Sequence, residues 1–145
     1  MVLGRYYPGQ TCSAAGALEI VGERWSLLIL RNAFFQGHKR FSDFERALGI
    51  APNILAKRLE GFVADGLMVI EEGPGGAHEY RLTPKGMDLK PVVIALNNWG
   101  DRWLCQGPVD YIHRGCEGMV RQTLTCDACG NDVAVEDVGV RIRAK

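Results

Sequence analysis

Apolar positions recur with a period near 3.6 over most of the first half of the chain, then with a period of 2, then with a helical period again. Ala14, Ala17, Leu18 and Val21 mark a first helix, which Ser13 is placed to cap and Gly22 to break. Trp25, Leu28, Ile29 and Leu30 make the next helix apolar almost all round, the mark of a buried element, and Gly37 ends it. Phe41, Phe44 and Leu48 define a short third helix that starts around Ser42 and stops at Gly49. Pro52 stands where a first helical turn accepts proline, and Leu55, Leu59 and Phe62 form the inward stripe of a fourth helix closed by Gly66. Leu67, Val69 and Glu71 then alternate with Met68, Ile70 and Glu72. The breaker run Gly73-Pro74-Gly75-Gly76 separates them from residues 78–83, so the pattern predicts a two-stranded hairpin. Thr83-Pro84 opens a long fifth helix to about Leu104, with Leu89, Val92, Val93, Leu96, Trp99 and Trp103 on one apolar face. Beyond Gly107-Pro108 the chain alternates in short stretches around cysteines and glycines, which predicts a small β-rich appendage.

This order of elements is that of a winged helix-turn-helix. The expected fold class is α+β, mainly α: a winged helix-turn-helix over residues 1–108, followed by a cysteine-containing, β-rich appendage over 109–145. In such a module a short helix braces a second one whose polar face enters the major groove, and the hairpin wing reaches neighbouring backbone or minor groove. On a helical wheel Leu55, Leu59 and Phe62 turn inward, and Asn53, Lys57, Glu60 and Ala64 turn outward. Asn pairs bidentately with adenine, and Lys contacts a guanine edge or a phosphate.

The composition, 47% hydrophobic and 23% charged, excludes a disordered or collagenous chain. Lys and Arg number 17, as do Asp and Glu, so the net charge of zero excludes a uniformly basic coat for nucleic acid. Position matters more than the total. Between His38 and Arg58, Lys39, Arg40, Arg46, Lys57 and Arg58 outweigh Asp43 and Glu45, a surplus of three positive charges at the third and fourth helices. Residues 101–145 carry six basic and seven acidic groups, which offers DNA no electrostatic attraction. No apolar run approaches the roughly 18 residues of a membrane span, and no secretory leader pattern opens the chain, so a cytoplasmic location without membrane contact is expected.

The strings Gly22-Glu23-Arg24-Trp25-Ser26-Leu27-Leu28-Ile29-Leu30, Arg40-Phe41-Ser42-Asp43-Phe44, Ala64-Asp65-Gly66-Leu67 and Tyr80-Arg81-Leu82-Thr83-Pro84-Lys85-Gly86 stand in this order, with Trp99 beyond them. Together they resemble the HxlR-type family of winged-helix transcriptional regulators over about residues 12–104. The resemblance implies a homodimeric bacterial regulator that binds a double-stranded DNA operator, with a MarR-like architecture and terminal helices forming the dimer interface. DNA contacts are expected from Arg40, Ser42, Asn53, Lys57 and Arg58, and from Gly75, Gly76 and His78 at the wing. Two departures stand out. Ala51-Pro52-Asn53 replaces the Ser or Thr often found at the opening of the recognition helix, and the wing tip has no Arg to insert into a minor groove, leaving His78 and Arg81 as the nearest contacts.

Cys12 precedes the first helix where the resembling family commonly carries a cysteine, which some members use to sense oxidants or electrophiles. A helix N-terminus favours the reactive thiolate, whereas the plain alternative is a buried thiol. A small-molecule effector competes equally with a redox signal, and no ligand is named by the residues. In the appendage, His113-x2-Cys116 and Cys126-x2-Cys129-Gly130 have the spacing of structural zinc ligands, although the nine residues between the pairs are fewer than a zinc ribbon usually has. Met119 and Thr125 would bound one returning strand. The alternatives are a knuckle that has lost its metal, a redox pair Cys126 and Cys129, or inert packed thiols.

The leading expectation is a homodimeric, sequence-specific DNA-binding regulator responding to a redox or small-molecule signal. The alternative is a winged helix used only for protein contact, with the cysteine appendage as its docking platform. An enzyme is not expected, because the chain has no Ser/His/Asp order, no phosphate-binding Gly loop and no paired carboxylates in a cleft.

Overall fold

Helix α1, Ser13–Val21, begins at Cys12, whose sulfur accepts a hydrogen bond from the Ala15 amide; Ser13, expected as the cap, is already inside the helix. The computed structural model describes residues 7–144. Gly22 ends α1, and α2, Ser26–Phe35, follows after a short turn. Helix α3, Phe41–Leu48, starts at Arg40, whose amide donates to the Asp43 carboxylate at 3.2 Å, so the acid in its first turn marks the start that Ser42 was expected to mark. Gly49 closes α3 in the left-handed conformation (φ 62°), where an L side chain would be strained. Helix α4, Pro52–Ala64, carries proline in its first turn, as the pattern predicts.

Strands β1, Met68–Glu72, and β2, His78–Leu82, pair antiparallel in the register Met68 to Leu82 through Glu72 to His78. The anticipated long helix is in fact two. Thr83 caps α5, Pro84–Met87, by accepting from the Gly86 amide, and α6 runs over Lys90–Trp103. Pro91 explains the interruption: it has no N–H for the Met87 carbonyl and its ring would clash with that carbonyl in a continuous helix.

One apolar cluster joins Val21, Ile29, Leu30, Phe34, Phe44, Ile50, Leu55, Leu59, Phe62, Leu67, Met68 and Val93. Every helix from α1 to α4, β1 and the start of α6 contributes to it, so the three inward residues of α4 hold its opposite face toward solvent. The chain divides into two compact units, Met1–Val93 and Ile94–Lys145, with the division falling inside α6.

The second unit departs from expectation. No strand forms after α6 among the described residues; the appendage is turn-rich, with two isolated bridges, Ile112 to Met119 and Thr125 to Asp132, and one 3-10 turn, Val135–Asp137. Residues 119 and 125 therefore bound no returning strand. The physical reason is the absence of a sheet partner or an apolar face to bury, since Val135, Val138, Val140 and Ile142 are all exposed.

Candidate nucleic-acid interface

The outward face of α4 carries Asn53, Lys57, Glu60 and Ala64, all exposed, while Leu55, Leu59 and Phe62 are buried beneath them. Lys57 and Arg46 form no ion pair among the described residues. Arg58 differs. Its Nε lies 3.8 Å from the Glu23 carboxylate without a hydrogen bond, so its charge is turned back toward the turn between α1 and α2. The same carboxylate accepts the Trp25 amide at 2.9 Å, which ties that turn to α4. Ser42 is exposed on the first turn of α3, and Arg40 is half-buried just before it.

At the wing, Pro74–Gly76 makes a 3-10 turn with Gly75 and Gly76 at φ 74° and 76°, values that suit glycine, and His78 is exposed at the start of β2. Arg81, one of the nearest wing cations, is engaged within the hairpin: Nε is 2.6 Å from Glu71 and Nη2 is 2.9 Å from Glu79. Glu71 and Glu79 face each other across the strands, and Arg81 between them offsets a pairing that would otherwise repel.

Glu79 is the functional-site residue that the hydrophobic pattern did not single out. It is 1% exposed, bonded to Arg81 and 3.5 Å from Lys39 Nζ. A Cβ at Gly73 would collide with its carboxylate, so the glycine that opens the wing tip is required by the acid beneath it. The Tyr80 amide donates to the Lys39 carbonyl at 2.6 Å, linking the wing to the segment that leads into α3. The only local signal for this arrangement is Arg81 two residues along the same strand, because Lys39 lies 40 positions away in the sequence. His38 is half-buried with its ring edge-on to Phe44 at 5.9 Å.

Two further candidate groups lie away from this face. Cys12 is exposed at the N-terminus of α1. In the second unit, His113 Nδ1 and Cys116 Sγ are 3.3 Å apart, and the amides of Cys129 and Ala128 bond the Cys126 sulfur, with the Cys129 side chain adding to them. These donors lower the Cys126 pKa from its ordinary value. Among the described residues, however, no three His, Cys, Asp or Glu side chains come together to hold a metal ion. No helix is long and apolar enough to cross a membrane among them.

The HxlR-like helix-turn-helix family matches residues 20–108, which is α2 to α6 with the end of α1. The chain is 40% identical over 131 residues to Rv3095 of Mycobacterium tuberculosis, described as an uncharacterized HTH-type transcriptional regulator, a match covering 87% of this chain and 82% of that one. Among solved structures it is similar to PA1607, described as a candidate transcription factor, with a TM-score of 0.83 and 36% identity over 92% of this chain and 96% of the other. The reduced form of the transcriptional regulator YodB from B. subtilis aligns with a TM-score of 0.56 and 26% identity, covering 68% of this chain and 99% of that one. With the family's residues laid along an exposed polar helix and its wing, the chain belongs to the HxlR-like helix-turn-helix family and is a transcriptional regulator of the helix-turn-helix type.

Proposed function

We propose that the chain acts as a homodimer that binds a specific double-stranded DNA operator, with α4 lying in the major groove and the wing over adjacent backbone. The observation that carries this reading is the exposed face of α4, where Asn53 and Lys57 stand clear of the core and Lys57 is free of ion pairing among the described residues. Arg40, Ser42, Gly75, Gly76 and His78 supply contacts to phosphates, and Arg58 positions α4 through Glu23 rather than reading bases. Dimerisation follows from α6. Val92, Leu96, Trp99 and Trp103 form one exposed apolar stripe, and Trp99 and Trp103 are 58% and 63% exposed, an area that a second copy would cover. Exposed Cys12 at the N-terminus of α1 is the input for oxidants or electrophiles; YodB and HypR, the latter named a redox regulator, are relatives in structure that support this part.

The test begins with selection of bound sequences from random duplex DNA, followed by fluorescence anisotropy on the selected site. Asn53→Ala is expected to weaken specific binding by about 1–3 kcal/mol and relax base preference at one position. Lys57→Ala is expected to weaken all duplexes alike and lower the salt slope by about 1. Unaltered binding by both variants would show that α4 is not the reading element. Cys12→Ser should abolish any loss of binding caused by diamide, and a variant that still responds like the parent removes Cys12 as the sensor.

A further inference from the structure

Two turns in the second unit are built on one plan. In the first, the His113 amide donates to the Gly118 carbonyl at 2.8 Å and the Glu117 amide to the His113 carbonyl at 2.9 Å. In the second, the Cys126 amide donates to Asn131 at 2.9 Å and the Gly130 amide to Cys126 at 2.8 Å. Counted from His113 and from Cys126, these bonds have identical offsets. So do the flanking ones, Val120 to Tyr111 and Val133 to Leu124, both 2.8 Å, and the bridges Ile112 to Met119 and Thr125 to Asp132.

Even the unusual backbone position repeats. The fifth residue of each turn is left-handed: Gly130 at φ 72°, and Glu117 at φ 59°, the one non-glycine residue with positive φ among those described. Strain of this kind persists only where the surrounding structure demands it. Each turn presents two zinc-type ligands at its first and fourth positions. In the first the two ligand atoms are 3.3 Å apart, close to the roughly 3.5 Å that separates a nitrogen and a sulfur bound to one tetrahedral zinc.

Among the described residues the unit has no buried core. All five cysteines are free, and no residue after Val93 is buried among those described. A segment this small with no core of its own needs a staple. Much of the segment also recurs in a relative: only 108 residues lie before it, so the 92% of the chain that aligns with PA1607 must take in much of it, whereas the YodB match covers only 68%.

We infer that the C-terminal unit is a zinc module, in which the turn bearing His113 and Cys116 and the turn bearing Cys126 and Cys129 close on one Zn2+ per chain as a tetrahedral Cys3His set. The pairs are preformed and stand apart; the metal joins them, and three thiol protons leave to solvent as the thiolates bind.

The experiment is native mass spectrometry and elemental analysis of the full chain, purified untagged without added zinc, together with cobalt substitution. One zinc per chain is expected, with cobalt giving the intense visible bands of a tetrahedral thiolate site. Cys126→Ser with Cys129→Ser, and separately His113→Ala with Cys116→Ala, should each lower tight binding at least tenfold, while Cys12→Ser and Cys105→Ser retain one equivalent. Less than one-tenth equivalent of zinc, or full retention when either pair is removed, overturns the proposal. Because the first unit folds on its own core, far-UV circular dichroism of the variants should retain the helical signal of α1 to α4. A variant that loses zinc together with that signal would show that the metal is needed by the first unit, contrary to the proposal.

Discussion

Glu79 illustrates how one buried acid can set the charge that a binding face displays. Its carboxylate is held by Arg81 and lies near Lys39, two cations that are each about half-exposed, with side-chain exposures of 47% and 46%. Removing the charge strands neither cation, because both can turn to water. The stability loss should therefore lie near the roughly 1.5–3 kcal/mol of a charged hydrogen bond rather than that of a broken buried pair. Glu79→Gln preserves the shape beneath Gly73 and frees Lys39 for phosphates, while Arg81 stays paired with Glu71. Non-specific DNA affinity should rise at low salt, with the slope of log K against log salt steeper by about 1, readable by anisotropy across a salt series. An unchanged slope would mean that Lys39 does not approach the backbone. The surplus of three positive charges counted along residues 38–58 is thus smaller on the folded surface, since Lys39 and Arg58 are both directed to acids outside that segment.

At the scale of elements, α4 separates a buried face from an exposed polar one within one helical turn. Leu59 is fully buried and Glu60 beside it is exposed. Leu59→Ala should cost about 2–5 kcal/mol, seen as a lowered midpoint in urea, whereas Glu60→Ala should change stability by less than about 0.5 kcal/mol. Comparable midpoints for the two would contradict the orientation of the helix. Elements with strong periodicity were legible from the residues: α2, α3, α4 and both strands lie where the patterns of Ile29, Phe44, Leu55 and Met68 predict them. The misreadings occurred where local chemistry overrides periodicity. Pro91 splits a pattern that is helical on both sides, and Cys12 and Asp43 take the capping roles assigned to Ser13 and Ser42. The alternation after residue 108 suggested strands, but alternation without a partner strand or a face to bury yields only isolated bridges.

At the scale of the whole molecule, α6 does two things. Val93, with Leu89 just before the helix, packs into the core, while Val92, Leu96, Trp99 and Trp103 lie on another side of the helix and remain uncovered. The single apolar face expected from the pattern is therefore two faces, one packed into the core and one exposed. Trp99→Glu should leave the fold intact and convert a dimer to a monomer in light scattering coupled to size-exclusion chromatography. Operator affinity should then fall at least tenfold, because one chain contacts only one half-site. A dimer that persists would place the interface elsewhere.

The residues by themselves determined the winged-helix order, the inward and outward faces of α4 and the family, because each rests on local periodicity or on contiguous strings such as Gly22-Glu23-Arg24-Trp25. Only the tertiary structure decided which charges are available and which are held. The Glu23 to Arg58 and Glu79 to Lys39 pairings join residues 35 and 40 positions apart, and no local pattern encodes a contact between them. The same holds for the duplicated turns around His113 and Cys126: the ligand spacing is visible in the chain, but the shared hydrogen bonds and the left-handed Glu117 appear only once the backbone is folded.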